Sequence, residues 1–422
     1  MFRVQIILNS FIEFFLAMGQ KLTEFLEGYI KKKSLFKNKR ALQANYTPTT
    51  VPYRTDQINQ IAGILAPSLR MDKPSNLFIY GKTGTGKTVV AQHIAENLRK
   101  IAEENNIPLG VFYLNCKLKR IADTEYRMIA QLCREFGDEV PATGLPTDEI
   151  YKIFVRALEK KKIMLIIILD EIDQLVKKIG DEILYNLTRL NSELKESQLS
   201  FIGISNDLMF IDNVDPRVKS SLSDEEIVFP PYNAVQLQKI LQQRAKVAFF
   251  DYVINDGVVE KCAAYAAREH GDARRALELL RVAGELAERK GAEKIFEEDI
   301  DTAEEKIERD RVLDIISTQP KQFKLTLHSI VTLCNGAEQP QKKKIFTGDI
   351  YNIYQDVCLK NHLKPLTQRR VSDIIAELDM LGIINAKIIS KGRYGRTKEI
   401  SLAIPNELSH KISTLLKESL EP

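Results

Sequence analysis

The feature that most constrains this chain is the octapeptide GKTGTGKT at residues 81–88. It matches the phosphate-binding pattern G-x-x-x-x-G-K-[ST], with the apolar segment NLFIY before it and the helical stretch VVAQHIAENLRK after it. Glycines at this spacing let successive backbone amides turn inward, and the start of the next helix adds the positive end of its dipole. The loop therefore predicts an α/β domain that binds the phosphates of a nucleotide.

Four further apolar, often β-branched segments follow the loop at intervals. They lie at residues 110–116, 162–170, 199–206 and 225–230, and stretches with helical periodicity separate them. Segments that are apolar on both faces are typical of a parallel sheet with helices on either side. Together with the strand at 76–81, they predict a five-stranded parallel sheet whose strand ends meet at one ligand-binding edge.

Within the loop, the lysine and the residue after it have distinct predicted tasks. Lys87 is expected to pair with the β- and γ-phosphates, and Thr88 to bind Mg²⁺ through its hydroxyl, so ATP or ADP with Mg²⁺ is the predicted cofactor. The residues predicted to contact the nucleotide here are Gly81, Lys82, Thr83, Gly84, Thr85, Gly86, Lys87, Thr88 and Val89.

Polar residues follow two later strands. In IIILDEID at 166–173, Asp170 is the predicted second magnesium residue, and Glu171 is the predicted base that polarises the attacking water. After the fourth strand, Asn206 is predicted to orient that water. An acidic pair after a strand is also typical of a helix cap, but its distance from the phosphate loop favours the catalytic interpretation.

Several motifs outside the phosphate loop resemble one family. The ISN segment at 204–206, DPRVKSSL at 215–222, FPPY at 229–232 and GDARRALELLR at 271–281 are similar to the archaeal origin-recognition and helicase-loader proteins. These proteins belong to the initiator clade of the AAA+ ATPases. The resemblance covers about residues 40–420 and implies a helical lid after the sheet, which agrees with the helical periodicity of residues 233–308.

The resemblance assigns roles to five arginine and tyrosine residues. It implies that Arg217 is the arginine finger that reaches a neighbouring subunit's γ-phosphate, with an ordinary surface charge as the alternative. It also implies that Arg274 on the lid is the second sensor, with Arg275 as the alternative. An arginine suits both tasks because its planar, permanently charged group meets phosphate with two donors. By the same resemblance, the remaining nucleotide contacts are Tyr232, Arg244 and Arg54, the last of which closes over the adenine.

The connection at 117–161 is longer than a single crossover helix requires. It leaves room for an extra helix in KRIADTEYRMIAQLCREFG, and the family carries a DNA-contacting insertion at this place. Arg120 and Arg127 are the predicted DNA contacts, and an ordinary solvated helix is the alternative.

The end of the chain predicts a winged helix-turn-helix. Two helical segments, each starting with a threonine N-cap candidate (Thr347 and Thr367), precede alternating apolar and polar residues at 383–404. Residues 311–422 carry 17 Lys and Arg against 11 Asp and Glu, as a nucleic-acid contact would need. The predicted DNA contacts are Gln368, Arg369, Arg370 and Ser372 on the recognition helix and Lys391, Arg393 and Arg396 on the wing. Such folds also serve as protein-interaction modules, and the basic wing favours DNA.

The predicted domains are a leader and flexible basic arm at 1–40, the α/β domain at 41–231, the lid at 232–308 and the winged helix at 309–422. The apolar run before Met18 is too short for a confident membrane span, and Met18 is the expected natural start. Five scattered cysteines without a Cys-x-x-Cys pair are typical of a reduced intracellular protein. We therefore expect a cytoplasmic, nucleoid-associated protein without a membrane partner.

These features together predict a replication initiator. It is expected to bind double-stranded origin DNA with other initiator subunits and to be a slow ATPase that uses hydrolysis mainly as a switch. The family resemblance implies that it also recruits the replicative helicase. Two alternatives are an ATP-switched transcription regulator with a winged helix and a clamp-loader-like subunit. The predicted hairpin argues against the second, which would end in a helical collar.

Overall fold

The computed structural model describes residues 33–43, 46–48, 50–117, 124–137, 140–141, 144–222, 224–335, 345–390 and 396–420. The chain divides into two compact units, Met1–Asp301 and Thr302–Pro422. None of the helices in the described ranges is long and apolar enough to cross a membrane.

The first unit is built on a parallel sheet of five strands in the order β2-β3-β4-β1-β5. The strands are β1 (Leu77–Tyr80), β2 (Leu109–Asn115), β3 (Met164–Asp170), β4 (Gln198–Ser205) and β5 (Glu225–Val228). Every residue of the interior strand β3, which lies between β2 and β4, is buried, which explains its unbroken apolar sequence before Asp170. The register pairs Asp170 with Asn115 and with Ile204, so the ends of three strands meet at one edge.

Helices cover both faces of this sheet. They are α1 (Thr55–Leu65), α2 (Lys87–Glu104), α3 (Glu125–Glu135), α4 (Thr147–Lys161), α5 (Ile172–Ile179), α6 (Glu182–Arg189) and α7 (Pro216–Leu222). The long connection between β2 and β3 holds both α3 and α4, so the predicted extra helix is present. Buried residues of the sheet and of these helices form the core on each face.

The lid follows the sheet in the same unit. It comprises α8 (Ala234–Ala248), α9 (Val258–Arg268) and α10 (Ala273–Lys290), and α11 (Glu297–Thr318) begins at its end. The start of α8 is fixed by a reciprocal pair of hydrogen bonds between Asn233 and Gln236.

The basic arm departs from the prediction of a flexible segment. Residues 33–43, which contain the described part of the arm, pack on the lid, where Phe36 stacks against Phe249 with ring centroids 4.7 Å apart. Leu35 and Leu42 are buried, and Lys39 pairs with Glu285 at 2.9 Å. The sequence prediction gave weight to the many lysines and not to the four apolar residues of this segment. Burial of those apolar residues holds the segment on the lid.

The second unit is a helical domain with a three-stranded antiparallel sheet. It contains α12 (Lys321–Asn335), β6 (Ile345–Phe346), α13 (Thr347–Lys360), α14 (Gln368–Met380), β7 (Ile384–Ser390), β8 (Arg396–Leu402) and α15 (Asn406–Leu420). The strand order is β6-β8-β7, so a short strand joins the predicted hairpin. A core that includes fully buried Tyr354 and Val371 holds the helices and the sheet together.

Of the two threonines predicted to cap helices, only one does so. Thr367 caps α14, since its hydroxyl accepts a hydrogen bond from the Arg370 amide. Thr347 is instead the first residue of α13, and the cap is Phe346, whose amide donates to the Asp349 carboxylate at 3.0 Å. The predicted fold class is confirmed: a parallel α/β sheet with a helical lid, followed by a winged helix.

Candidate nucleotide-binding site and nucleic-acid interface

The phosphate loop joins β1 to α2 and depends on glycine at its turning points. Gly81, Gly84 and Gly86 all have φ in the left-handed region, at 156°, 69° and 91°. At Gly84 a Cβ would lie 1.7 Å from an Asp272 carboxylate oxygen. Both the backbone conformation and this close approach disfavour a side chain at residue 84.

Lys87 is the buried cation of the loop. The residue is only 4% exposed, and its Nζ donates to the carbonyl oxygens of Gly81 and Lys82 at 2.6 and 2.8 Å. It also donates to Asn206 Oδ1 at 2.8 Å, so the structure brings these two predicted residues together. Burial lowers the pKa of Lys87 to about 8, because removal from water disfavours the charged form.

Asp170 ends β3 and is held on both carboxylate oxygens. Its Oδ2 accepts from the Thr88 hydroxyl at 2.9 Å and from the Tyr113 hydroxyl at 2.6 Å, and its Oδ1 accepts from the Glu171 amide at 3.0 Å. A hydroxyl next to a carboxylate supplies the oxygen ligands that Mg²⁺ prefers. The two residues predicted to hold magnesium therefore lie together and fit that ion.

Tyr113 was not predicted to belong to this site. Burial is the main cause that raises its pKa, and the charge of Asp170 adds to the effect. It lies in β2, which pairs with β3, two residues before the strand ends. That position was the only sequence signal, and it required the order of the strands.

Glu171 follows Asp170 with φ of 56°, an uncommon conformation for a residue other than glycine. It directly precedes α5, and its Oε2 lies 3.8 Å from Lys117 Nζ. Its side chain faces the same cavity as Lys87 and Asn206. Both adjacent acids therefore line the cavity, and Asp170 is buried whereas Glu171 is half-buried.

A cavity of about 170 Å³ lies between the phosphate loop, the lid and the segment before α1. The predicted site residues that line it are Gly84, Gly86, Lys87, Thr88, Val89, Asp170, Glu171, Asn206, Tyr232, Arg244 and Arg274. Four other loop residues of the prediction do not line it: Gly81 and Thr85 are buried within the loop, and Lys82 and Thr83 are exposed at its tip.

Arg244 gives an independent indication of the ligand. Its guanidinium lies over the Tyr46 ring, 4.6 Å from the centroid, and burial lowers its pKa. Within the described part of the chain its buried Nη1 has no hydrogen-bond partner. A buried donor without an acceptor is costly, and a nucleotide in the adjoining cavity would provide acceptors. Together with the cationic loop, this donor fits a nucleotide.

The lid contacts the phosphate loop directly. The Ala273 amide at the start of α10 donates to the Gly84 carbonyl at 3.2 Å. Asp272 caps α10, since its Oδ1 accepts from the amides of Arg274 and Arg275 at 2.7 and 3.3 Å. The position of the lid and the shape of the loop are therefore linked through Gly84. Asp272 was not among the predicted site residues.

The two candidate lid arginines differ in their surroundings. Arg274 lines the cavity, and its charge contributes to the lowered pKa of Lys87. Arg275 pairs with Glu269, with an Nε–Oε2 distance of 3.1 Å, and does not line the cavity. The geometry favours Arg274 as the sensor residue.

Arg54 does not lie where it was expected. Its side chain is buried behind the loop, where Nε donates to the Thr85 carbonyl at 3.0 Å and Nη2 donates to the Pro230 carbonyl at 2.5 Å. Its guanidinium stacks on the Tyr232 ring, 3.9 Å from the centroid. The neighbouring residues 50–52 line the cavity instead. Arg54 thus supports the loop through these carbonyl oxygens and does not itself line the cavity.

Models of known families match three parts of the chain in order. An AAA domain matches residues 70–208, the Cdc6 AAA+ ATPase-type lid domain matches 238–305, and the C-terminal winged-helix domain of CDC6 matches 314–411. An ORC1-type DNA replication protein of Pyrococcus furiosus is 53% identical over 94% of this chain and 93% of its own length. The chain belongs to this family of initiators.

Other relatives agree with this assignment. ORC1-type DNA replication protein 1 of Methanosarcina mazei is 50% identical over 93% of this chain and 94% of its own length. The Aeropyrum pernix ORC1 protein, solved in complex with DNA, has a TM-score of 0.77 and 42% identity, and the match covers 92% of this chain and 98% of that chain. The initiator described here is thus an AAA+ ATPase.

The predicted finger of this initiator lies on α7, outside its own cavity. Arg217 is exposed and pairs with Asp215 through two side-chain hydrogen bonds of 3.0 and 2.9 Å. These bonds lower the pKa of Asp215 to about 2. The guanidinium also lies over the Tyr185 ring, 4.8 Å from the centroid. It is held at the surface in one orientation.

The DNA-binding predictions are placed only in part. Gln368, Arg369 and Arg370 are exposed at the start of α14, and Ser372 is half-buried there. Arg127 is exposed on α3. Arg120, Lys391 and Arg393 lie outside the described residues, and of Arg396 only the backbone, at the start of β8, is described.

Proposed function

We propose that this initiator binds double-stranded origin DNA, and that ATP bound between its sheet and lid controls that activity. The observation that carries the proposal is the direct hydrogen bond from Ala273 to Gly84, beside which Arg274 enters the cavity. A lid attached to the phosphate loop can change position with the number of phosphates in that loop. Such a change of position is how a nucleotide acts as a switch.

In this proposal each residue of the cavity has a defined task. Lys87 and the loop amides hold the β- and γ-phosphates of ATP, and Thr88 and Asp170 hold Mg²⁺, which neutralises charge on the phosphates when bound. Glu171 polarises the attacking water, and Asn206 orients it. Arg244 contacts the nucleotide through its unpartnered donor, and Tyr232 lines the cavity beside it.

Slow hydrolysis follows from the position of Arg217. Because it points away from the cavity of its own chain, a second initiator subunit must supply this charge to each site. An arginine supplied in trans accelerates phosphoryl transfer by about 10³–10⁵ in related enzymes. An isolated chain therefore hydrolyses ATP slowly, and its nucleotide state persists long enough to act as a signal.

DNA is contacted by the exposed start of α14 and by the basic wing, with α3 as an additional contact. Arginine and glutamine at the N-terminal end of a recognition helix are the side chains that read base edges in the major groove. The Aeropyrum pernix ORC1 protein was solved in complex with DNA, which supports this assignment. Recruitment of the replicative helicase completes the proposed role.

The proposal is tested by footprinting the purified chain on genomic DNA that carries an origin and several promoters. We expect protection at the origin with ATP and a different pattern with ADP. Lys87→Ala should lose nucleotide retention, and its pattern should no longer respond to either nucleotide. Protection confined to promoters would indicate a transcription regulator, and unchanged ATP binding by the variant would refute the phosphate-loop assignment.

A further inference from the structure

The Tyr113 hydroxyl lies behind Asp170, outside the cavity. It donates to Asp170 Oδ2 at 2.6 Å, the shortest of the three hydrogen bonds described above for this carboxylate. Tyr113 is not one of the described residues that line the cavity. It can therefore influence bound nucleotide only through Asp170.

The direction of this hydrogen bond is fixed by the two groups that form it. A carboxylate oxygen accepts hydrogen bonds, whereas a tyrosine hydroxyl can donate one. At this contact Tyr113 is therefore the donor, and its hydroxyl proton points to Asp170 Oδ2.

The Asp170 carboxylate is thus fixed from three sides. Thr88 and Tyr113 donate to one oxygen, and the Glu171 amide donates to the other. Thr88 lines the cavity and would also bind the metal ion through an oxygen lone pair, so its position responds to the ligand, whereas Tyr113 does not line the cavity. Of the two side-chain donors, Tyr113 is the one whose position does not depend on the ligand.

We propose that Tyr113 is a positioning residue for the magnesium site, and that it sets how much more tightly the chain binds the magnesium complex of ATP than free ATP. This inference rests on the proposed function, which places Mg²⁺ on Thr88 and Asp170. Partners of this kind orient metal-binding carboxylates, and their loss typically weakens metal affinity about 10- to 100-fold.

The test compares the full-length chain with Tyr113→Phe and a matched control, Tyr151→Phe. Tyr151 lies on α4, and its hydroxyl donates to Glu125 Oε1 at 2.7 Å. Each substitution removes one partly buried hydroxyl that donates to a carboxylate. Only Tyr113 contacts Asp170, so the two variants are expected to lose similar stability and to differ at the nucleotide site.

Binding of a fluorescent ATP analogue is measured with Mg²⁺ and with EDTA. For Tyr113→Phe we expect the ratio of the two affinities to fall about tenfold, the factor that about 1.4 kcal/mol represents. Affinity in EDTA should stay within about twofold of wild type, since the loop and Lys87 are unchanged. Tyr151→Phe should leave both affinities unchanged.

Three outcomes would overturn the proposed role of Tyr113. An unchanged ratio in Tyr113→Phe overturns the positioning role while the magnesium site stands. A matching fall in Tyr151→Phe assigns the effect to general destabilisation and also overturns it. A wild-type chain that binds equally well with and without Mg²⁺ refutes the magnesium assignment itself, and the inference with it.

Discussion

The contact between the lid and the phosphate loop predicts the consequence of adding one methyl group at residue 84. Gly84→Ala places a Cβ 1.7 Å from an Asp272 carboxylate oxygen, on a backbone with φ of 69°. The carboxylate cannot remain, because real atoms do not approach this closely. Asp272 must swing away, and α10 then loses the side chain that caps its first amides.

Two costs add in this variant. The left-handed conformation costs a residue other than glycine about 1–2 kcal/mol, and the lost helix cap costs about 1 kcal/mol. We expect Gly84→Ala to lower the free energy of unfolding by about 2–3 kcal/mol. Gly137→Ala is the control, since Gly137 lies in the same unit, has φ of 87°, and a Cβ added there would meet no atom within 4 Å. It should show the conformational cost alone.

The assay is urea unfolding of the full-length chain, followed by far-ultraviolet circular dichroism because the sequence has no tryptophan. Gly84→Ala, Asp272→Ala and the double variant form a cycle. Since the cap can be lost only once, the double variant should be about 1 kcal/mol less destabilised than the sum of the two single variants. Additive effects, or a cost for Gly84→Ala no greater than for Gly137→Ala, would refute the reasoning.

Two further predictions concern the arm and the recognition helix. Phe36→Ala should lower the free energy of unfolding by about 3 kcal/mol in the same assay, because a buried ring leaves the lid. Phe250→Ala, which removes an exposed ring, should have little effect. Equal effects of the two substitutions would show that the arm does not stabilise the lid. Arg369→Ala with Arg370→Ala should weaken duplex binding and reduce its salt dependence, by a slope of about 1 for each phosphate that the variant no longer neutralises. Exposed Lys411→Ala should leave both unchanged, and insensitivity of the arginine pair would remove this helix from the interface.

Those parts of the site that a local pattern specifies could be predicted from the sequence. The phosphate loop needs glycines and a lysine at fixed spacing, and the central strands need apolar residues on both faces. Asn206 could be placed beside Lys87 because parallel strands end at a common edge. Each of these inferences depends on residues close in sequence or on a rule of sheet topology.

Contacts between residues that are distant in sequence could not be predicted, because no local pattern or rule of sheet topology specifies them. Tyr113 meets Asp170 only because β2 and β3 are neighbours, and no motif marks a tyrosine at that place. Arg54 was expected at the base and lies behind the loop, since its two carbonyl acceptors come from Thr85 and Pro230. Charge also concealed packing at Phe36, because a run of lysines is a stronger signal than an isolated aromatic residue.

The hydrogen bond between the lid and the loop has a thermodynamic consequence for the proposed switch. If contact with α10 favours the loop conformation that binds nucleotide, then bound nucleotide must favour the closed lid by the same free energy, because coupling between two equilibria is reciprocal. A substitution that breaks the contact between Gly84 and Ala273 at the start of α10 should therefore weaken nucleotide binding and also reduce the stabilisation that nucleotide gives to the lid. The two losses should be equal in free energy, and unequal losses would require a second connection between the lid and the loop.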